Sequence, residues 1–347
     1  MIHLLQKLIS IPGISRQETA RADMLYDYMA GQGMAPQRLH NNLWVRGDAW
    51  LPGRPTVLLN SHIDTVKPSA AYTRDPHAAD IEDDRLYGLG SNDAGASAIA
   101  LLGAFEQLRH EDLGYNLLLA LTAEEEVMGE HGMRAFLPYI KEQGIDIDMA
   151  IVGEPTDMQA AIGERGLVVL DCVAHGIQGH AARNEGDNAL YRAVRDIERL
   201  QNFHFPLCSA LLGPIKITVT QIEAGWQHNV VPPECKFVVD VRTTDAYTNE
   251  EVVSMIQSAL ESDVKERSTR IRASAIRHNH PLVQAAISTG ASTFISPTTS
   301  DMALMPFPSL KIGPGQSARS HQADEYVLLS EFEAAIPRYA ALLRGIK

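Results

Sequence analysis

Cysteine is scarce. The 347 residues hold three, Cys172, Cys208 and Cys235. None forms a Cys-x-x-Cys pair, so no disulfide framework is written into the chain. They read as small buried apolar residues of a reducing compartment. Basic residues are also short: 30 Lys and Arg stand against 43 Asp and Glu, a formal net charge of -13. That balance argues against nucleic acid or an anionic membrane as partner. It leaves room for an anionic substrate in a local basic pocket, and for bound cations that neutralise some of the acid. No apolar run approaches the length of a membrane span. The first residues, MIHLLQKLISIPG, are too short and too interrupted by His3, Gln6 and Lys7 for an export signal. Leu4, Leu5, Leu8 and Ile9 instead share one helical face. A cytoplasmic location is the expectation. Repeats and low-complexity segments are absent.

The length predicts two domains. In the first half, helix-like segments at 16–31 and 95–109 alternate with short apolar runs at 56–61, 115–122 and 148–153. Buried apolar strands separated by helices predict an α/β domain, with a mostly parallel central sheet flanked by helices. Near residue 165 the texture changes to strands at 166–174, 215–223 and 235–243, with helices at 187–200 and 249–262. This predicts an inserted α+β domain. From about 281 the α/β texture returns, ending in a helix near 330–344. The expected division is 1–164 with 281–347, and 165–280.

Ligands of parallel sheets gather at the carboxyl ends of strands, and the informative residues lie there. His62 and Asp64 follow the first run, two residues apart, so the carboxylate can hold the imidazole as a metal ligand needs. Asp93 follows the turn Gly88-Leu89-Gly90-Ser91-Asn92, which aims a carboxylate into a cleft or merely caps a helix. Glu124-Glu125-Glu126 ends a buried strand. Such a triplet is usually a solvated charge run, but a cation would relieve its repulsion and let one carboxylate ligate while another acts as base. Glu154 follows the third run. His321 sits between the turn Gly313-Pro314-Gly315 and an acidic stretch. Each is weak alone. Together, imidazoles and carboxylates without thiolate suit a catalytic site for Zn, Co or Mn, and such a set can hold two metals roughly 3.5–4 Å apart with one carboxylate bridging.

The ordered motifs Ser-His62-Ile-Asp64-Thr, Gly-Leu-Gly-Ser-Asn-Asp93, Thr-Ala-Glu-Glu125-Glu126, Val-Gly-Glu154-Pro and Gly-Pro-Gly-x-Ser-x-x-x-His321 resemble the M20 metallopeptidase family. Within it, the Gly-Leu-Gly-Ser-Asn-Asp-Ala-Gly stretch resembles the acetylornithine deacetylase and succinyl-diaminopimelate desuccinylase branch. The resemblance implies a two-metal amidohydrolase carrying Zn or Co. His62 and Glu154 would bind one metal, His321 and Glu126 the other, with Asp93 bridging. Asp64 would orient His62, and Glu125 would be the general base. His180, in Gly-Ile-Gln-Gly-His180, would reach the partner subunit's active site and stabilise the oxyanion, which implies a homodimer built through a lid and dimerisation insert. Arg165, Asn229 and Arg242 would receive the substrate's α-carboxylate. The implied substrate is an N-acyl amino acid, with N-acyl-ornithine of arginine biosynthesis as the first choice. Succinyl-diaminopimelate or a dipeptide are the alternatives. Ala94-Gly95-Ala96 stands where many relatives carry Lys-Gly-Gly, so the helix start after Asp93 is expected to pack differently.

Overall fold

The computed structural model describes all 347 residues. They form two compact units, Met1–Ile162 with Ile276–Ser296 and Ser300–Lys347, and Gly163–Ala275 with Pro297–Thr299. The main strands are β1 (Asn42–Arg46), β2 (Thr56–His62), β3 (Asn116–Thr122), β4 (Met149–Val152), β5 (Ala160–Glu164), β6 (Gly166–His175), β7 (Lys216–Ala224), β8 (Glu234–Thr243), β9 (Asp263–Glu266) and β10 (Ser309–Lys311). The helices are α1 (Ile2–Ser10), α2 (Thr19–Gly31), α3 (Ala96–Leu108), α4 (Met133–Glu142), α5 (Ala189–Gln201), α6 (Asn249–Ala259), α7 (Pro281–Ser288) and α8 (Leu329–Gly345).

In the first unit the strand order runs β1-β3-β2-β4-β10-β5. β2 is parallel to β3 and β4, and β4 to β10. β1 and β5 are antiparallel to their neighbours. Every residue of β2 and β3 is buried. This is why TVLLNSH and NLLLALT read as unbroken runs: a strand covered on both faces has no solvent side to alternate with. Helix α3, ASAIALLGAFEQL, is buried nearly all round. Its Ala, Ser and Gly residues let it lie close to β2 and α8. Several of the polar groups inside are linked to one another or to backbone. The Asn60 amide donates to Thr122 Oγ1 at 2.9 Å, that hydroxyl donates to Asp301 at 2.9 Å, and the Tyr339 hydroxyl donates to the Ile312 carbonyl at 2.6 Å. Because β2, β3, β4 and β10 point one way, their carboxyl ends share one edge. His62, Glu125 and Glu154 lie at or just past those ends.

The second unit is an antiparallel sheet in the order β7-β8-β6-β9. Burial alternates along β6 and β8, as expected of a sheet with one covered face. The covered face presents Val168, Leu170, Phe237 and Val241, packed with Val252 and Ile256 of α6 and Ala193 of α5. A reciprocal Thr248–Glu251 capping box starts α6. The helix expected over 249–262 stops at Ala259, because the buried Asp196 carboxylate takes the amides of Glu261 and Ser262 and turns the chain away. β7 lies at the edge of its sheet. No helix in either unit is long and apolar enough to cross a membrane.

Phe105 is fully buried in α3. Phe105→Ala should lower the stability of the first unit by about 3–5 kcal/mol, read as a shift in its urea midpoint. An unchanged midpoint would contradict this account of the core.

Candidate metal centre

His62 closes β2. Its Nδ1 donates to the Asp64 carbonyl at 3.1 Å, which fixes the ring and turns Nε2 toward acidic groups. Asp93 Oδ1 lies 3.2 Å from that Nε2, Glu154 Oε1 3.8 Å and Glu125 Oε2 3.9 Å. Asp93 is delivered by the turn Ser91–Gly95 before α3, with a cis Asp93–Ala94 peptide. Gly90 enters this turn at φ 80, and a Cβ there would meet Thr65 Cγ2 at 2.5 Å, so the position demands glycine. The other Asp93 oxygen, Oδ2, lies 3.7 Å from His321 Nε2, and Glu126 Oε2 lies 3.0 Å from the same nitrogen. His62 Nε2 thus faces Asp93, Glu154 and Glu125, His321 Nε2 faces Glu126 and Asp93, and Asp93 presents one oxygen to each imidazole.

Asp64 does more than the sequence suggested. Its carboxylate stands 3.5 Å from His62 Nδ1, farther than its own backbone carbonyl. Its oxygens accept the amides of Glu125 at 3.0 Å and Glu126 at 3.2 Å, and the Ser15 hydroxyl at 2.7 Å. Asp64 therefore holds the acidic turn as well as the imidazole. Sequence reading missed Ser15, buried Arg21 and Glu325. Arg21 donates to the Ile11 carbonyl at 2.7 Å and to the Ile63 carbonyl at 2.8 Å, tying α2 to the segment between His62 and Asp64. Glu325 belongs to the acidic stretch after His321, which was the one available signal.

Packing acids together sets their protonation. Burial pushes Glu154 up to about 8, and pushes Glu125 well above the carboxylate range. Burial opposes a charged His62, but the Asp64 and Asp93 carboxylates outweigh it and hold the imidazole well above its usual value. Burial likewise opposes an ionised Asp93, and His62 outweighs it and draws the carboxyl below its usual value. Hydrogen bonding to Glu126 raises His321 to about 9.

The donor set fits divalent cations. Ligand atoms of His62, Asp93 and Glu126 lie within 4.8 Å of one another, and all are the nitrogen and oxygen donors that Zn-like ions accept. His321 and Glu154 would be protonated at pH 7 without metal, and a ligand must be deprotonated. Zn binding at pH 7 should therefore release protons, and affinity should rise with pH up to about 9. Calorimetry in buffers of different ionisation enthalpy reads this directly. A buffer-independent heat would contradict it.

The remaining predicted residues lie in the second unit. His180 and Val230 are partners in a short antiparallel pair, and the Ala181 amide donates to the Asn229 carbonyl at 3.0 Å, so His180 and Asn229 are neighbours. The His180 side chain is exposed, with Nδ1 accepting the Ala182 amide at 3.1 Å. Gly166 pairs with Thr243, which brings Arg165 and Arg242 to one end of the sheet. Both guanidinium groups already have partners. Arg165 donates to the Pro214 carbonyl at 2.7 Å and to that of Leu212, and Arg242 grips Asp240 through two bonds of 2.8 and 3.1 Å.

Residues 58–345 match the signature of Peptidase family M20/M25/M40. A succinyl-diaminopimelate desuccinylase of Paracoccus denitrificans is 30% identical over 272 residues, covering 74% of this chain and 70% of its own length. An M20 domain-containing protein of Schizosaccharomyces pombe is 28% identical over 356 residues, covering 99% of this chain and 84% of its own. Among solved structures, aminopeptidase PepT of Bacillus cereus superposes with a TM-score of 0.78 at 16% identity, covering 99% of this chain and 97% of that one. The Bacillus subtilis YXEP protein, described as a dinuclear metal binding peptidase, gives 0.71 at 16% identity, covering 99% and 96%. With the motif order carried across both halves of the first unit, this chain belongs to peptidase family M20/M25/M40 and is an amidohydrolase of that family.

Proposed function

We propose that the chain hydrolyses the amide between an acyl group, acetyl or succinyl, and the α-nitrogen of an amino acid. The observation that carries this is Asp93 presenting one oxygen to His62 and the other to His321. Two divalent cations, Zn or Co, would be held by His62 and Glu154, by His321 and Glu126, and by Asp93 between them. When bound, they polarise the amide carbonyl and acidify water. Glu125 takes a proton from the attacking water and passes it to the leaving amine. It suits that work because burial raises its basicity and it stands beside the ligands without duplicating them. Asp64 keeps His62 and the Glu125–Glu126 turn in place. Arg165 and Arg242, at one end of the sheet, receive the substrate's α-carboxylate, Arg242 in exchange with Asp240, and Asn229, beside His180 at the other end, reaches that carboxylate from a second subunit.

We further propose a homodimer formed through the second unit, the lid and dimerisation domain of the expected division. The β7 edge is unpaired by another strand, Ile222 on it is half exposed, and Tyr191 and Val194 stand out on α5. Such an edge with exposed apolar residues invites pairing with a second copy. In that dimer His180 stabilises the oxyanion at the partner's site.

N-acyl-ornithine is the proposed substrate, in arginine biosynthesis, on the strength of the chain's length and the stretch Gly88-Leu-Gly-Ser-Asn-Asp93-Ala-Gly95. A second reading, succinyl-diaminopimelate, is favoured by the names of curated relatives. A panel of acetyl- and succinyl-amino acids with Zn or Co added separates them. Turnover of N-acyl-ornithine above the rest supports the first reading, and hydrolysis of dipeptides alone would overturn both. Glu125→Gln should keep its metals and lose about 10²–10⁴-fold in kcat; a normal rate would remove Glu125 from its role. His180→Ala should stay dimeric and slow by roughly 10²-fold. Mixed with Glu125→Gln subunits, it should regain activity, and no recovery would place His180 in its own subunit's site.

A further inference from the structure

The loop that carries His321 is tied at both ends to the turn that carries Asp93. Before His321, the buried Asn92 side chain accepts the Gln316 amide at 2.9 Å and donates to the Gln316 carbonyl at 3.1 Å and the Ser320 hydroxyl at 3.3 Å. After His321, the Glu325 side chain, 2% exposed, takes three backbone amides from one turn. Gly90 N–H donates to Oε2 at 3.1 Å, and those of Asn92 and Asp93 donate to Oε1 at 2.8 and 2.9 Å. The Glu325 carbonyl also accepts the Gly88 amide at 2.9 Å. Three amides directed at one buried side chain are not a helix cap or a surface ion pair. They lock a non-helical turn whose next side chain is Asp93.

We propose that Glu325 is a positioning residue of the metal centre, holding Asp93 and His321 in fixed relation so that the second cation site, His321 with Glu126 and Asp93, is formed before metal arrives. This rests on the two-metal reading above. His62 is built on β2 and needs no such device, whereas Asp93 and His321 lie on irregular segments far apart in sequence. Hydrogen bonds behind a ligand set its orientation, and losing them typically weakens metal affinity roughly 10–100-fold. Glu325→Gln replaces one acceptor oxygen with an NH₂ group that must face backbone N–H donors. Glu325→Asp keeps both acceptors but withdraws them by one methylene.

The test is a Co(II) titration of the metal-free full chain, followed by visible absorption, with kcat and KM measured alongside. The wild type should take up two equivalents. Glu325→Gln should bind the second roughly 10–100-fold more weakly and the first, which shares Asp93 but keeps the strand-borne His62, with a smaller loss, with kcat falling and KM nearly unchanged. Glu325→Asp should show the same pattern more mildly, and it decides the matter if the Gln variant does not fold. Two tight equivalents in a folded variant overturn the proposal, even if thermal stability has dropped, because a merely structural role would lower stability and spare the second site. Fewer than two equivalents in the wild type would instead overturn the two-metal reading itself.

Discussion

Carboxylates crowded into a buried site cannot all be ionised unless positive charge lies among them, and the first unit is built around that constraint. Asp93, Glu125, Glu126 and Glu154 meet within reach of two imidazoles at one edge of a sheet. Without cations the cluster answers by holding protons, raising Glu154 to about 8 and His321 to about 9. Divalent ions would replace those protons. The same groups that make an apo site costly make a loaded one tight.

The scaffold meets this cost by dividing labour between regular and irregular backbone. Parallel strands deliver His62 directly and bring Glu125 and Glu154 close behind. The turn at Asp93 and the loop at His321 have no ladder to hold them, so buried side chains do so. Asp64 gathers the amides of Glu125 and Glu126, and Glu325 gathers those around Asp93. Arg21 sits beneath, bonded to the backbone on either side.

Much of this was legible in the sequence. Strands covered on both faces leave unbroken apolar runs, and residues just past such runs lie at the carboxyl edge of the sheet, so the position of His62, Glu125 and Glu154 at that edge was readable from the chain. Motif order added Asp93 and His321. The supporting groups were not legible, for a physical reason. Ser15, Arg21 and Glu325 act on backbone amides and carbonyls that every residue has, so no side-chain pattern marks the partner. Arg165 was named from the sequence, but the backbone carbonyls its guanidinium meets in its own unit carry no sequence mark. Arg242 pairs with Asp240 two residues away, a spacing that reads equally as a substrate site or an ion pair. The helix end at Ala259 escaped because the Asp196 carboxylate that turns the chain lies far back in the sequence.

The most direct measurement is anomalous diffraction at the zinc edge from crystals of the zinc-loaded chain. The account predicts two peaks flanking Asp93, one beside His62 and Glu154, the other beside His321 and Glu126. A single peak, or zinc bound away from Asp93, would contradict it.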